Sequence, residues 1–214
     1  MPNKTITSTF STLYRPDAVF LEQSAKGYPL TQKILSSLPH VPIHEIQNVE
    51  RVEEQFKSSR TDVFGEGKKN LVLSRFNGSF LKKCPGASPG MVCCNYYVVN
   101  LSKNCLYDCS YCFLQDFLKN NPLQVAYVNV EDLIKELGDV FTEFSDRTFR
   151  VGTGEIADSL ALDFLIPYSQ FLIPFFNHQK NAVLEFKTKS DCVENLLNQP
   201  DPTNVIVSWS INPQ

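Results

Sequence analysis

The sequence lacks a strong charge of either sign, a long hydrophobic run, an internal repeat and a low-complexity tract, and each absence removes a class of protein. With a formal net charge of −3 over 214 residues and a pI near 5.6, no field of the kind that drives tight non-specific phosphate binding is present. A nucleic-acid substrate would need a local basic patch. The most apolar stretch, Phe164 to Phe176, is interrupted by Pro167, Tyr168, Ser169, Gln170 and Pro174, too broken for a membrane span of ~20 apolar residues. It reads as a buried helix or loop. The N-terminus, with Asn3, Lys4, Thr5, Thr7 and Ser8, has no continuous apolar core and does not resemble a secretory signal. A reducing cytoplasm and no membrane association are therefore expected. The hydrophobic content of 43% is that of an ordinary globular chain and argues against disorder.

What is there begins with cysteine. The count is odd, seven in all, and Cys105, Cys109 and Cys112 crowd into eight residues. That suits metal ligation in a reducing compartment better than a disulfide framework. Cys84, Cys93, Cys94 and Cys192 read as small buried hydrophobes.

Along the chain, Ala18 to Leu21 reads as a strand, Pro29 to Leu35 as a helix opened by proline, Val41 to Ile46 as a strand and Val49 to Phe56 as a helix. The polar segment Ser58 to Asn70, carrying Gly65 and Gly67, reads as a surface loop, and Leu71 to Leu73 as the next strand. Residues 1–90 are thus expected to form a small α/β unit of βαβ type. Over 91–214 the rhythm is strand then helix: strands at Tyr96 to Val99, Phe149 to Val151, Ala182 to Phe186 and Val205 to Trp209, with an amphipathic helix from Val130 to Phe144. Such alternation predicts parallel pairing, with ligands at the carboxyl ends of the strands. The cysteine loop, Gly152 to Glu155, Lys187 to Lys189 and Ser210 all follow strands directly and would converge on one rim. The last strand, apolar and close to Gln214, leaves its outer edge uncovered, which predicts the N-terminal part of a longer, truncated fold.

The spacing C-x3-C-x2-C lets one loop wrap the corner of a [4Fe-4S] cubane, for which thiolates are the normal ligands. Three ligands for four irons leave one iron open to a substrate or cofactor. Structural zinc is the competing metal and would need a fourth ligand from Cys84, Cys93, Cys94 or a histidine. A purely structural trio has little packing rationale on one loop.

With Tyr111 just before the last cysteine, the motif resembles the signature of the radical S-adenosylmethionine superfamily. The whole run Cys105-Leu106-Tyr107-Asp108-Cys109-Ser110-Tyr111-Cys112-Phe113-Leu114-Gln115 is similar to the cluster loop of the spore photoproduct lyase family. So are Cys84-Pro85-Gly86, the Cys93-Cys94 pair, Gly152-Thr153-Gly154-Glu155 with Asp158 and Asp163, Thr188-Lys189, and Ser208 to Asn212. The resemblance implies a partial parallel (β/α) barrel of the radical S-adenosylmethionine type after the small α/β unit. It implies a [4Fe-4S] cluster on Cys105, Cys109 and Cys112, which takes an electron from a donor such as flavodoxin or ferredoxin. The reduced cluster would cleave S-adenosyl-L-methionine to a 5′-deoxyadenosyl radical that abstracts hydrogen from a substrate, with nucleic acid as a candidate class.

By the same resemblance, Gly152, Gly154 and Glu155 receive the cofactor's ammonium, Lys189 with Ser210 meets its carboxylate, and Tyr111 packs near the adenine. The plain alternatives are a strand-to-helix turn, a solvated lysine and core packing; Asp158 and Asp163 would then cap the following helix. The chain also departs from the family pattern: Gly152 to Asp163 holds no cysteine to return a hydrogen, and Phe113 stands where a tyrosine is expected. Both departures point to a lyase-like enzyme whose substrate differs from the thymine photoproduct. The other function classes open to the sequence are a non-catalytic metal-binding or interaction protein and an incomplete, inactive fragment.

Overall fold

The computed structural model describes residues 14–211 apart from 60, 61, 87, 91, 93, 94, 113, 119–121, 198 and 200–203. The chain opens with strand β1 (Ala18–Glu22), helix α1 (Pro29–Ser36), strand β2 (Ile43–Ile46), helices α2 (Val49–Ser59) and α3 (Val63–Lys68), and strand β3 (Asn70–Ser74). Proline enters α1 in its first turn, where a missing N–H removes no hydrogen bond. Residues 58–70, expected as a polar loop, contain α3 instead. The Asp62 carboxylate accepts the Gly65 N–H at 2.9 Å, an N-terminal cap that offsets the poor helix propensity of Gly65 and Gly67.

There follow β4 (Leu81–Lys83), β5 (Tyr96–Val99), β6 (Ser102–Lys103), α4 (Leu114–Leu118), β7 (Gln124–Tyr127), α5 (Val130–Glu143), β8 (Phe149–Thr153), α6 (Tyr168–Asn177), β9 (Ala182–Thr188), α7 (Glu194–Leu197) and β10 (Val205–Trp209). They form two five-stranded sheets, ordered β2-β1-β3-β7-β6 and β10-β9-β8-β5-β4. The expected parallel pairing holds for β10-β9-β8-β5 and for β2-β1-β3-β7. The edge strands β4 and β6 run antiparallel. Pairing crosses residue 90 in both directions, since β7 joins the first sheet and β4 the second.

In the first sheet, α1 packs Leu30 and Ile34 into one core cluster while α2 contributes Val52 and Phe56 to another, so β3 is buried at every position. In the second sheet burial alternates. Phe149, Val151, Leu184 and Phe186 share the large core with Leu133, Leu137 and Phe141 of α5 and Ile173 and Phe176 of α6. The α5 residues recur at helical spacing on one stripe, and each such buried side chain contributes roughly 1.5–3 kcal/mol. Neighbouring positions on the opposite face, among them Arg150, Lys187 and Ile206, are exposed.

The interrupted run Phe164 to Phe176 resolves into α6, whose start is held by Asp163. That carboxylate accepts the Ser169 N–H at 3.0 Å and the Ser169 hydroxyl at 2.5 Å. At the other junction the buried Tyr168 hydroxyl shares its one proton between two acceptors, the carbonyls of Leu101, at 2.7 Å, and Tyr127, at 2.8 Å. Among the described residues no helix is long and apolar enough to cross a membrane.

Candidate functional site

The loops that leave β6, β8, β9 and β10 meet at one cleft of about 230 Å3, lined by all three loop cysteines together with Gly154, Asp158, Lys189 and Ser210. Convergence of loops at one end of a parallel sheet brings together residues far apart in sequence. Asn104 turns the chain into the cysteine loop with φ 71°, a left-handed conformation that asparagine tolerates. Its side-chain oxygen receives the Cys105 N–H at 2.8 Å. Cys112 N–H donates to the Cys109 carbonyl at 2.9 Å, and the Gln115 amide closes the loop onto the same carbonyl at 2.9 Å. Burial pushes the Cys105 thiol above its ordinary range, while the Tyr107 backbone and the Lys68 charge act in the opposite sense.

The wall opposite the cysteines is organised by Asp158. One carboxylate oxygen accepts Leu160 N–H at 3.0 Å, Ala161 N–H at 2.9 Å and the Thr188 hydroxyl at 2.7 Å; the other accepts Lys189 N–H at 2.7 Å. The expected capping role is therefore only part of what this residue does, because it also ties the turn after β8 to the end of β9. Gly154 makes that turn with φ +85°, and a Cβ there would lie 2.6 Å from the Ser159 hydroxyl, so glycine is required. Lys189 Nζ lies 5.2 Å from the centre of the exposed Tyr111 ring. The hydrogen bond to Tyr111 is the main cause that raises the Lys189 ammonium above its ordinary value.

Three expected site residues stand apart from the cleft lining. Glu155 is held by Asn100, whose amide donates at 2.6 Å. Gly152 leaves room for Tyr96: a Cβ would lie 1.8 Å from the Tyr96 hydroxyl, which would have to shift. Tyr111 lies beside the lining residue Lys189. Cys93, Cys94, Phe113 and Asn212 lie outside the described residues. Sequence reasoning gave Asp158 no more than a cap and missed Lys68, which reaches the cysteine loop from α3 with Nζ 3.1 Å from the Tyr107 carbonyl.

The donor set suits a polynuclear cluster better than a single ion. All three loop thiols are free and line one cleft, and thiolates are the usual ligands of such a cluster. Neither Cys84 nor Cys192 lines that cleft, and burial pushes the Cys192 thiol up to about 12, far from the thiolate a metal requires.

The sequence model for spore photoproduct lyase matches residues 14–214. The chain belongs to the spore photoproduct lyase family. The spore photoproduct lyases of Bacillus subtilis (strain 168) and Geobacillus sp. (strain Y412MC61) are each 24% identical to it over 200 residues, covering 92% of this chain and 56% of the relative. The chain therefore spans little more than half the length of the curated family members it matches. Among solved structures, spore photoproduct lyase complexed with a dinucleoside spore photoproduct is similar with a TM-score of 0.78 at 21% identity, over 92% of this chain and 57% of that one. A mutant lyase with bound AdoMet and the same dinucleoside gives a TM-score of 0.76 at 21% identity, with equal coverage. The likeness shows the fold: the sheet β10-β9-β8-β5 is part of a radical S-adenosylmethionine barrel, preceded by an α/β unit.

Proposed function

We propose that this chain carries the cluster- and cofactor-binding part of a radical S-adenosylmethionine enzyme, lyase-like and acting on nucleic acid. The observation that supports it is the single cleft shared by Cys105, Cys109, Cys112, Gly154, Lys189 and Ser210. A [4Fe-4S] cluster with S-adenosylmethionine would supply a 5′-deoxyadenosyl radical able to abstract hydrogen from a carbon of the substrate.

The chain's own residues bind and orient. The three thiols would hold the cluster as thiolates. Lys189, extended across the cleft with Nζ 3.4 Å from the Ser210 carbonyl, offers its ammonium to the cofactor carboxylate. The left-handed turn at Gly154 would let backbone approach the cofactor's amino end, with Glu155 next in the chain. Tyr111, beside Lys189, offers a ring face to the adenine. Arg150 and Lys187, exposed beside Tyr96, offer local positive charge to a phosphodiester substrate, offset in part by Glu185, 3.8 Å from Lys187 Nζ. Flavodoxin or ferredoxin in a reducing cytoplasm would serve as electron donor. With Phe113 and no cysteine between Gly152 and Asp163, the return of hydrogen follows a route other than the photoproduct lyase's, which supports a different lesion or base as substrate.

Anaerobic reconstitution tests the reading. About four iron and four labile sulfide per chain, with 5′-deoxyadenosine formed on reduction in the presence of S-adenosylmethionine, are expected. Zinc in place of iron, with no labile sulfide, would overturn it.

A further inference from the structure

Lys68 stands at the last turn of α3 with its side chain only 8% exposed. A buried ammonium is costly unless it is paired. Two of its partners lie between two cysteines of the loop: Nζ donates to the Tyr107 carbonyl at 3.1 Å and forms an ion pair with Asp108. One residue earlier, Gly67 approaches Pro122 so closely that a Cβ would lie 2.2 Å from the Pro122 carbonyl oxygen. That same carbonyl accepts the Asn104 amide at 3.0 Å, and Asn104 in turn holds the Cys105 N–H. The end of α3 thus meets the cysteine loop on both sides of Cys105. It is itself anchored, because the Tyr14 hydroxyl donates to the Lys68 carbonyl at 3.2 Å and Asp17 N–H donates to the Lys69 carbonyl at 2.7 Å.

We infer that Lys68 is a positioning residue which clasps the Tyr107–Asp108 segment from the first sheet's side, so that Cys105 and Cys109 present their thiols to the cleft before any cluster is bound. The preformed loop can be tested in the apo chain. Only its use as a cluster loop rests on the proposed function. The consequence is a division of labour within the chain: no described residue of the α/β unit lines the cleft, yet that unit sets the shape of the loop that does. A loop held in its bound geometry loses less conformational freedom when the ligand arrives.

Hydrogen exchange of the apo chain, followed in the peptide over residues 104–112, is the direct test. Lys68→Met is expected to speed exchange there by about fivefold or more, and Asp108→Asn, which keeps the Tyr107 contact, by about threefold, while peptides from β3 and β8 exchange as in the wild type. Asp108 is 69% exposed on its side chain, so its variant keeps the test alive should Lys68→Met fail to fold. In chains loaded with cluster, Lys68→Met is also expected to change the electron paramagnetic resonance line shape of the reduced cluster, because removing a nearby charge alters its surroundings. Wild-type exchange at 104–112 in Asp108→Asn, or acceleration spread equally over β3 and β8 in either variant, overturns the inference. Failure of the wild-type chain to take up iron and sulfide would strike the proposed function alone and leave the exchange result to decide this one.

Discussion

The two sheets are built from similar strands and put to different ends. The first is sealed: β3 lies between α1 and α2 and is buried along its whole length. The second is sealed on one face only, with core residues alternating along β9 with half-buried or exposed Val183, Glu185 and Lys187. A parallel strand buried on both faces has no free side chain with which to do chemistry. A strand buried on one face can carry polar groups on the other and direct its carboxyl end at a ligand. The chemically suggestive residues after β8, β9 and β10 accordingly belong to the second sheet, while the first meets them only from its edge, where the cysteine loop runs between β6 and β7.

The contrast should break most visibly in stability. Leu73→Ala, at a fully buried position of the first sheet, is expected to cost about 2–5 kcal/mol, whereas Ile206→Ala, 45% exposed on the second, should cost less than about 1 kcal/mol; urea denaturation would compare them. Next in size is Asp158→Ala, which leaves four donors without their acceptor. A loss of about 3 kcal/mol and at least a roughly tenfold weaker affinity for S-adenosylmethionine, measured by calorimetry on the loaded chain, are expected.

Gly152→Ala sharpens the comparison on the open face. The added methyl would meet Tyr96, for about 1–3 kcal/mol of overpacking. The double variant with Tyr96→Ala should recover most of that loss in thermal melts; no recovery would remove Tyr96 as the cause.

The smallest effect concerns pH. Burial raises the Asp163 carboxyl above the usual range, against the hydrogen bonds from Ser169 and Asn195. The folded chain therefore favours the protonated form. The stability this group contributes is full below the unfolded pKa of about 3.9 and falls as pH rises through the folded value. Asp163→Asn cannot ionise, so the melting-temperature gap between wild type and variant should narrow as pH rises from about 4. A widening gap would reverse the assigned direction.

Much of this was legible from pattern alone. The strands at Ala18, Leu71, Tyr96, Phe149, Ala182 and Val205 announce themselves as runs of apolar and β-branched residues, and the α5 stripe by its spacing. What was illegible has physical reasons. Strands β4 and β6 are short and polar because they are edges stabilised by a single neighbour. Strand β7 begins with Gln124 and takes its place from β3, some fifty residues away in sequence. Helix α3 was hidden by two glycines, one of which is there so that Pro122 can come close. The cysteine loop was readable as a ligand set because spacing alone defines it. Its tether to Lys68 was not, since nothing local marks a lysine whose partners lie 39 and 40 residues onward. Asp158 looked like a helix cap because a carboxylate after a glycine turn does the same thing in sequence whether it holds one loop or two.

The phenol of Tyr168 has a thermodynamic corollary. It comes from a helix of the second sheet and bonds to carbonyls at both ends of the segment that returns to the first, in a core that both sheets share. Heating should therefore dissolve the chain in one cooperative step instead of shedding the smaller unit first, with calorimetric and van't Hoff enthalpies in agreement. The two sheets are separable on paper and coupled in the calorimeter, so a graft of the barrel strands alone would inherit a core with one wall missing.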